Sequence, residues 1–293
     1  MQPGALVGLA VALGSSSACK PPLRRVDSSF VLAGPLARPC GFARESDIPG
    51  RWATLAEELF ALLGTHPSEH DARVHQYYLP LYFWLRRLVD ERAPGAPAVC
   101  AYLYTPKALA RTQSAENPPD LQGGGKSTLV SAMEALFRAD GGKRCFAASL
   151  DDFYLPHDGL ERVAREHAGN RLLQVRGNPL THDIALCVST LRQLRAQVPG
   201  GPAVRVPRFD KSKFDGRGNR APLEEWAEVA EPQDIILLEG WCLGFRAKPS
   251  ESPDAGAPFE KSAGVPFERV HVPELEPINA ALREFEEIYA QLV

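Results

Sequence analysis

Residues 123–128 of this chain have the composition of a phosphate-binding loop. Glycines allow backbone N–H groups to come close to phosphate oxygens, and the start of a following helix adds a partial positive charge. A lysine after them can neutralise the phosphates, and a serine hydroxyl can hold Mg²⁺. The residues of this candidate loop are Gln122, Gly123, Gly124, Gly125, Lys126, Ser127 and Thr128. Alone, the run is also compatible with a flexible glycine turn before a helix.

The segment before this loop departs from the usual pattern. A full phosphate-binding loop has a small residue, usually glycine, at the position that Asp120 occupies here. Residues 105–121 are polar and contain prolines, whereas such a loop normally continues a buried strand directly. We therefore expect an irregular insertion over residues 105–121.

Carboxylates follow two apolar runs that are typical of buried strands. Asp151 and Asp152 come directly after the first run, and Glu239 ends Ile235–Leu238. The carboxyl ends of parallel strands share one edge of a sheet, where ligands of such folds bind. An acid there can accept a hydroxyl proton, as we predict for Asp151, or hold Mg²⁺ through water, as we predict for Glu239. Solvated strand ends and helix caps remain the alternatives.

Basic residues cluster in the second half of the chain. Arg176 and His182 form one group, and the other, interleaved with Asp210 and Asp215, consists of Arg208, Lys211, Lys213, Arg217 and Arg220. Guanidinium groups match carboxylates and phosphates in shape, so recognition of these anions is one interpretation. A solvated loop over residues 208–220 explains the arginines of that loop equally well.

Hydrophobic periodicity predicts helices alternating with strands, which is typical of an α/β fold with a parallel sheet. The helices are expected at residues 52–63, 72–89, 129–137, 181–197 and 275–292, and the strands at residues 98–104, 144–150, 203–206 and 234–238. The aromatic residues of the second helix, Tyr77, Tyr78, Tyr82, Phe83 and Trp84, are expected to pack in the core. Residues 247–265 are rich in proline, serine and glycine and predict a flexible loop.

Residues 1–50 show no sustained periodicity and are expected to be a disordered tail or a targeting segment. The domain itself is expected at residues 51–293, and its residues 51–97 are expected to form N-terminal helices. The first acidic residue is Asp27, after several serines and arginines, as in a transit peptide. Plastid and cytoplasmic locations both stay open.

Composition excludes some classes of protein. A net charge of −3 gives no electrostatic case for nucleic-acid binding, and no apolar run is long enough to span a membrane. The six cysteines include no C-x-x-C pair, which argues against a zinc site. We expect a monomer that acts on a small molecule.

Several collinear segments resemble the plant-type and fungal D-glycerate 3-kinases. This family belongs to the P-loop kinases, as do uridine kinase, phosphoribulokinase and pantothenate kinase. The resemblance covers roughly residues 52–98 and 122–291, and it is carried by the segments at residues 75–84, 149–155, 169–177, 181–183, 207–212, 216–220 and 238–245.

The resemblance implies a three-layer P-loop fold and ATP-dependent phosphorylation of a small hydroxy acid, glycerate above all. Lys126 and Ser127 would bind ATP and Mg²⁺, and Asp151 would be the base. Asp152, Tyr154, Arg176, His182, Arg208 and Arg217 would be the candidates for substrate contacts. Another small-molecule kinase of the group and a degenerate nucleotide-binding protein are the alternatives. The family continues beyond the last predicted helix, so C-terminal elements are expected to be missing here.

Overall fold

The computed structural model describes residues 26–103, 124–248 and 272–291. Its α-helices are α1 (Ser28–Leu32), α2 (Trp52–Leu63), α3 (Leu79–Asp90), α4 (Gly124–Ala139), α5 (His157–Glu166), α6 (Ile184–Ala196), α7 (Val272–Ala281) and α8 (Phe285–Tyr289). Its strands are β1 (Val99–Leu103), β2 (Cys145–Ser149), β3 (Val204–Val206), β4 (Phe209–Asp210), β5 (Asn219–Arg220), β6 (Ala227–Val229) and β7 (Ile235–Glu239). A π-helical segment, Arg73–Tyr78, leads into α3.

A parallel sheet in the order β1-β7-β2 organises the chain. The central strand β7 pairs with β1 on one side and β2 on the other, with Glu239 opposite both Leu103 and Ser149. The side chains of Ile235–Leu238 are fully buried. A strand that is apolar on both faces requires helices on both sides of the sheet.

The two faces of β7 belong to separate cores. Ile235 and Leu237 pack with α2, α3 and α4. Ile236 and Leu238 pack with α6, α8 and the antiparallel pair of β3 and β6. This alternation, which follows from the period of two along a strand, produces three layers. It confirms the predicted α/β class.

The elements with the clearest sequence patterns lie where they were predicted. Helix α2 occupies Trp52–Leu63 as predicted, and Gly64 ends it with a φ of 64° in the left-handed region. The strand predicted at residues 234–238 is β7. Five of the cysteines lie in described residues, and all five are free thiols.

The prediction of a disordered segment up to residue 50 is wrong for residues 26–50. Helix α1 begins after the cap of Asp27, and Val31 and Phe42 are buried in the first core. The ring of Phe42 meets Trp52 edge-on at 5.4 Å between centroids. The apolar residues of this segment have no period, so only tertiary packing reveals their burial.

Two expectations about helices need correction. Tyr77 and Trp84 are exposed, at 42% and 37%, while Tyr82 and Phe83 are buried as predicted. The predicted single C-terminal helix is in fact two short helices, α7 and α8, with turns between them.

The insertion predicted at residues 105–121 and most of the loop predicted at residues 247–265 lie outside the described residues. No helix in the described ranges is long and apolar enough to cross a membrane.

A buried carboxylate joins the N-terminal helices to the end of α4. Asp140 accepts a hydrogen bond from the hydroxyl of Tyr82 at 2.5 Å and ion-pairs with Arg86 at 3.1 Å. Arg51 reaches its other oxygen at 2.9 Å. Because Asp140 is 9% exposed, its removal leaves buried polar groups without partners.

We therefore predict that Asp140→Ala lowers the free energy of unfolding by about 3 kcal/mol. The matched control is Asp90→Ala, because Asp90 pairs with the same Arg86 but is exposed and should cost less than about 1 kcal/mol. Urea denaturation followed by circular dichroism measures both. Equal losses would show that Asp140 does not join the helices to α4.

Candidate active site

The predicted acids meet at the carboxyl edge of the sheet. Ser149 ends β2 and lies opposite Glu239 at the end of β7. The hydroxyl of Ser149 donates to Oε1 of Glu239 at 2.5 Å. This hydrogen bond ties the two strand ends together and fixes one oxygen of Glu239 at the edge.

Asp151 and Asp152 lie on one turn of 3-10 helix, Leu150–Phe153, directly after β2. The hydroxyl of Ser149 also accepts the backbone N–H of Asp151, at 3.3 Å, and so caps this turn. The turn holds both carboxylates beside the strand ends, where the sequence predicted them.

Two donors hold the carboxylate of Asp151. The hydroxyl of Tyr154 donates to Oδ1 at 3.0 Å, and Nζ of Lys211 donates to Oδ2 at 2.7 Å. Burial alone would raise the pKa of Asp151, but the hydrogen bond and charge of Lys211 outweigh burial and lower it. Asp151 is therefore an ionised carboxylate at neutral pH.

Asp152 is oriented differently and holds the hairpin of β4 and β5. Its Oδ1 accepts the backbone N–H of Phe209 at 3.1 Å, and Arg208 lies 3.5 Å from Oδ2. Burial raises the pKa of Asp152, although the N–H of Phe209 and the charge of Arg208 oppose the shift. The two neighbouring acids thus have pKa values shifted in opposite directions, which is typical of sites that divide acid–base roles.

Residues 208–220, for which the sequence left anion recognition and a solvated loop both open, form a hairpin that is anchored to its surroundings. Arg176 donates from one guanidinium nitrogen to the carbonyls of Gly216 and Arg217, each at 2.6 Å. Arg217 itself pairs with Glu161 on α5 at 2.5 Å. Gly218 has a φ of 80°, and a Cβ there would come within 2.3 Å of the ring of Phe209. The hairpin therefore needs glycine at this position.

His182 lies behind Tyr154 in the interior. It is 5% exposed, and its ring stacks on that of Tyr154 with centroids 4.5 Å apart. Neither ring nitrogen has a hydrogen-bond partner among the described residues. Burial lowers the pKa of His182 to about 4, against the opposing influences of Asp151 and the backbone of Asn178. The imidazole is neutral and supports Tyr154, which in turn contacts Asp151.

The candidate phosphate loop is described in part. Gly124, Gly125, Lys126 and Ser127 form the first turn of α4, and Thr128 follows half-buried. Only the backbone of residues 124–127 is described, and Gln122 and Gly123 lie outside the described residues. Helix α4 ends shortly before β2 begins, and Glu134 of α4 accepts the backbone N–H of Ala147 in the middle of β2. The helix therefore runs antiparallel to β2 and begins on the side of the sheet where Asp151 and Glu239 lie.

The sequence did not single out Ser149, and it marked Lys211 only as one of several basic residues, not as the partner of Asp151. Lys211 and Asp151 are 60 positions apart in the chain, and no local sequence pattern predicts a contact over that separation. Ser149 belongs to a segment that resembles the kinase family, yet its link to Glu239 depends on the register of β2 and β7.

The buried His182 predicts a pH dependence of stability. Its folded pKa of about 4 lies below the ordinary value of 6.5, so the unfolded chain binds a proton first as the pH falls. The contribution of the neutral imidazole to the free energy of unfolding is full above pH 6.5 and is lost towards pH 4. We expect His182→Phe to abolish about 2 kcal/mol of the stability that the protein loses between pH 7 and pH 5. Urea denaturation at both pH values measures this.

His66→Phe is the matched control, because His66 is exposed and should leave the pH dependence unchanged. An unaltered pH dependence in His182→Phe would refute the neutral, buried histidine.

Comparisons with known proteins place the chain among kinases. No protein-family model matches it. It is 32% identical to the chloroplastic D-glycerate 3-kinase of Arabidopsis thaliana over 260 residues, which is 81% of this chain and 53% of that protein. It is 39% identical over 128 residues to a probable ATP-dependent kinase of Saccharomyces cerevisiae, covering 42% of this chain and 43% of that protein. The chain thus spans about half the length of these curated relatives.

A solved structure shares the fold. D-glycerate 3-kinase from Cryptococcus neoformans superposes with a TM-score of 0.54 at 22% identity, over 84% of this chain and 71% of that one. The predicted resemblance is confirmed: by sequence this chain is a relative of the D-glycerate 3-kinases, and it shares the α/β fold of that solved kinase structure.

Proposed function

We propose that this protein transfers the γ-phosphoryl group of ATP to a hydroxyl of a small hydroxy acid, with D-glycerate as the acceptor and 3-phosphoglycerate as the product. The observation that carries the proposal is the ionised carboxylate of Asp151 at the carboxyl edge of the sheet. The relationship to D-glycerate 3-kinase supports the choice of acceptor.

In this mechanism, Asp151 accepts the proton of the acceptor hydroxyl. The hydroxyl oxygen forms a bond to the γ-phosphorus while the bond from phosphorus to the β,γ-bridging oxygen breaks, and that oxygen keeps the electron pair on ADP. Tyr154 orients the carboxylate through its hydrogen bond to Oδ1. Asp152 positions the hairpin through Phe209.

The first turn of α4 is the proposed phosphate site. Its N-terminal N–H groups and its Gly-Gly-Lys-Ser sequence suit an anion, and Lys126 would balance phosphate charge. Mg²⁺ would be held by Ser127 and, through water, by Glu239. Glu239 supplies the hard oxygen that this ion prefers, and Mg²⁺ usually takes only one or two protein carboxylates.

The four basic residues among the six predicted acceptor contacts differ in their availability. Arg208 lies 3.5 Å from Asp152, the neighbour of Asp151, and we retain it as the candidate for a contact with the acceptor. We propose positioning roles for the others. Arg176 secures the carbonyls of the hairpin, Arg217 links the hairpin to α5, and His182 supports Tyr154.

We expect Asp151→Asn to lower kcat by about 10²- to 10⁴-fold with D-glycerate and Mg-ATP, because the variant lacks the general base. Its KM for ATP should stay within about threefold of the wild-type value, since Asp151 lies on the acceptor side. A coupled assay of ADP release measures both constants.

Asp158→Asn is the control, because it removes the same charge from an exposed position on α5 and should leave kcat unchanged. Wild-type turnover with uridine or pantothenate but not with D-glycerate would transfer the proposal to that acceptor. No turnover with any of them, together with absent ATP binding by calorimetry, would refute a kinase.

A further inference from the structure

Both carboxylate oxygens of Asp151 already accept hydrogen bonds. Tyr154 holds Oδ1 and Lys211 holds Oδ2. A general base must come within hydrogen-bond distance of the proton that it removes. Each carboxylate oxygen can accept more than one hydrogen bond, so an acceptor hydroxyl either displaces one of the two donors or shares an oxygen with it. An oxygen that still holds the ammonium of Lys211 is a weaker base, because the positive charge stabilises the ionised carboxylate.

The two donors differ in their freedom to move. Tyr154 is 4% exposed and is confined between the rings of His182, at 4.5 Å, and Phe209, at 5.2 Å. The side chain of Lys211 is 57% exposed and carries its ammonium on a flexible four-carbon stem. Lys211 is thus the donor that gives way.

A displaced Lys211 needs a new anionic partner near the same place. Three other cations of the hairpin region are already engaged, while Arg208, the acceptor contact retained above, lies 3.5 Å from the neighbouring Asp152. Arg176 holds backbone carbonyls, Arg217 pairs with Glu161, and Arg220 pairs with Asp183. An acidic acceptor brings a carboxylate at the moment when its hydroxyl takes the place of the ammonium on Asp151.

We propose that Lys211 binds the carboxylate of the acceptor, and that its transfer from Asp151 to this carboxylate frees the base. The inference rests on the proposed kinase function and deepens it, since it names the group that selects an acid. An uncharged acceptor would leave Lys211 on Asp151, so that the ion pair would compete with the reacting hydroxyl. Lys211 would therefore favour acidic acceptors in the step that activates the hydroxyl.

The test compares D-glycerate with its uncharged amide, glyceramide, in the full chain. Three proteins are assayed: wild type, Lys211→Met and Lys213→Met. Lys213 lies on the same hairpin, is similarly exposed and pairs with Asp210 at 3.8 Å, so it controls for loss of a surface charge. Thermal melting verifies that all three are folded.

We expect the ratio of kcat/KM for D-glycerate to kcat/KM for glyceramide to fall by about 10- to 100-fold in Lys211→Met, because the variant loses a charge-assisted contact. The ratio should stay within about threefold in Lys213→Met, and KM for ATP should be unchanged in both. Lys211→Arg, which keeps the charge, should restore part of the ratio.

The outcomes separate the two proposals. Wild-type turnover with an unchanged ratio in Lys211→Met overturns the role of Lys211 and leaves the kinase function standing. An equal fall in both methionine variants also overturns it, because the effect is then one of general surface charge. Failure of the wild type to bind D-glycerate by calorimetry and to phosphorylate it overturns the choice of acceptor and the inference together.

Discussion

The burial of β7 on both faces is the constraint on which the rest of the structure depends. Four aliphatic side chains, Ile235–Leu238, are removed from water, and each contributes about 2 kcal/mol of hydrophobic stabilisation. To bury them, α4 with α2 and α3 must cover one face, and α6 with α8 must cover the other. The next residue, Glu239, then emerges at the sheet edge beside Ser149.

Opposing electrostatic effects shape the candidate site at this edge. Burial disfavours the charged forms of Asp151 and Asp152 alike, but a lysine contacts Asp151 directly, whereas Asp152 has a backbone N–H and a more distant arginine. The pKa values consequently move apart, although the residues are neighbours in the chain. The hairpin of β4 and β5 supplies these partners. Arg176 and Arg217 hold the hairpin in place, and so they influence the two acids by positioning those partners.

Local patterns predicted much of this fold. The helical period of α2, the uninterrupted apolar run of β7 and the acids at the strand ends are features that neighbouring residues specify together. The predictions for residues 26–50 and for the C-terminal helix failed for the opposite reason. Val31 and Phe42 are buried by contacts with distant helices, and Leu282, between α7 and α8, is buried in a turn that breaks the predicted helical period.

By itself, the sequence determined the α/β class, the position of the glycine-rich helix start and the identity of the acids, because each is encoded by residues close together in the chain. Only the tertiary structure decided what those acids contact. The register of two strands joins Ser149 to Glu239, and the folding of a distant hairpin brings Lys211 onto Asp151. The ionisation of Asp151 depends on this distant partner, since charges interact through space and not along the chain.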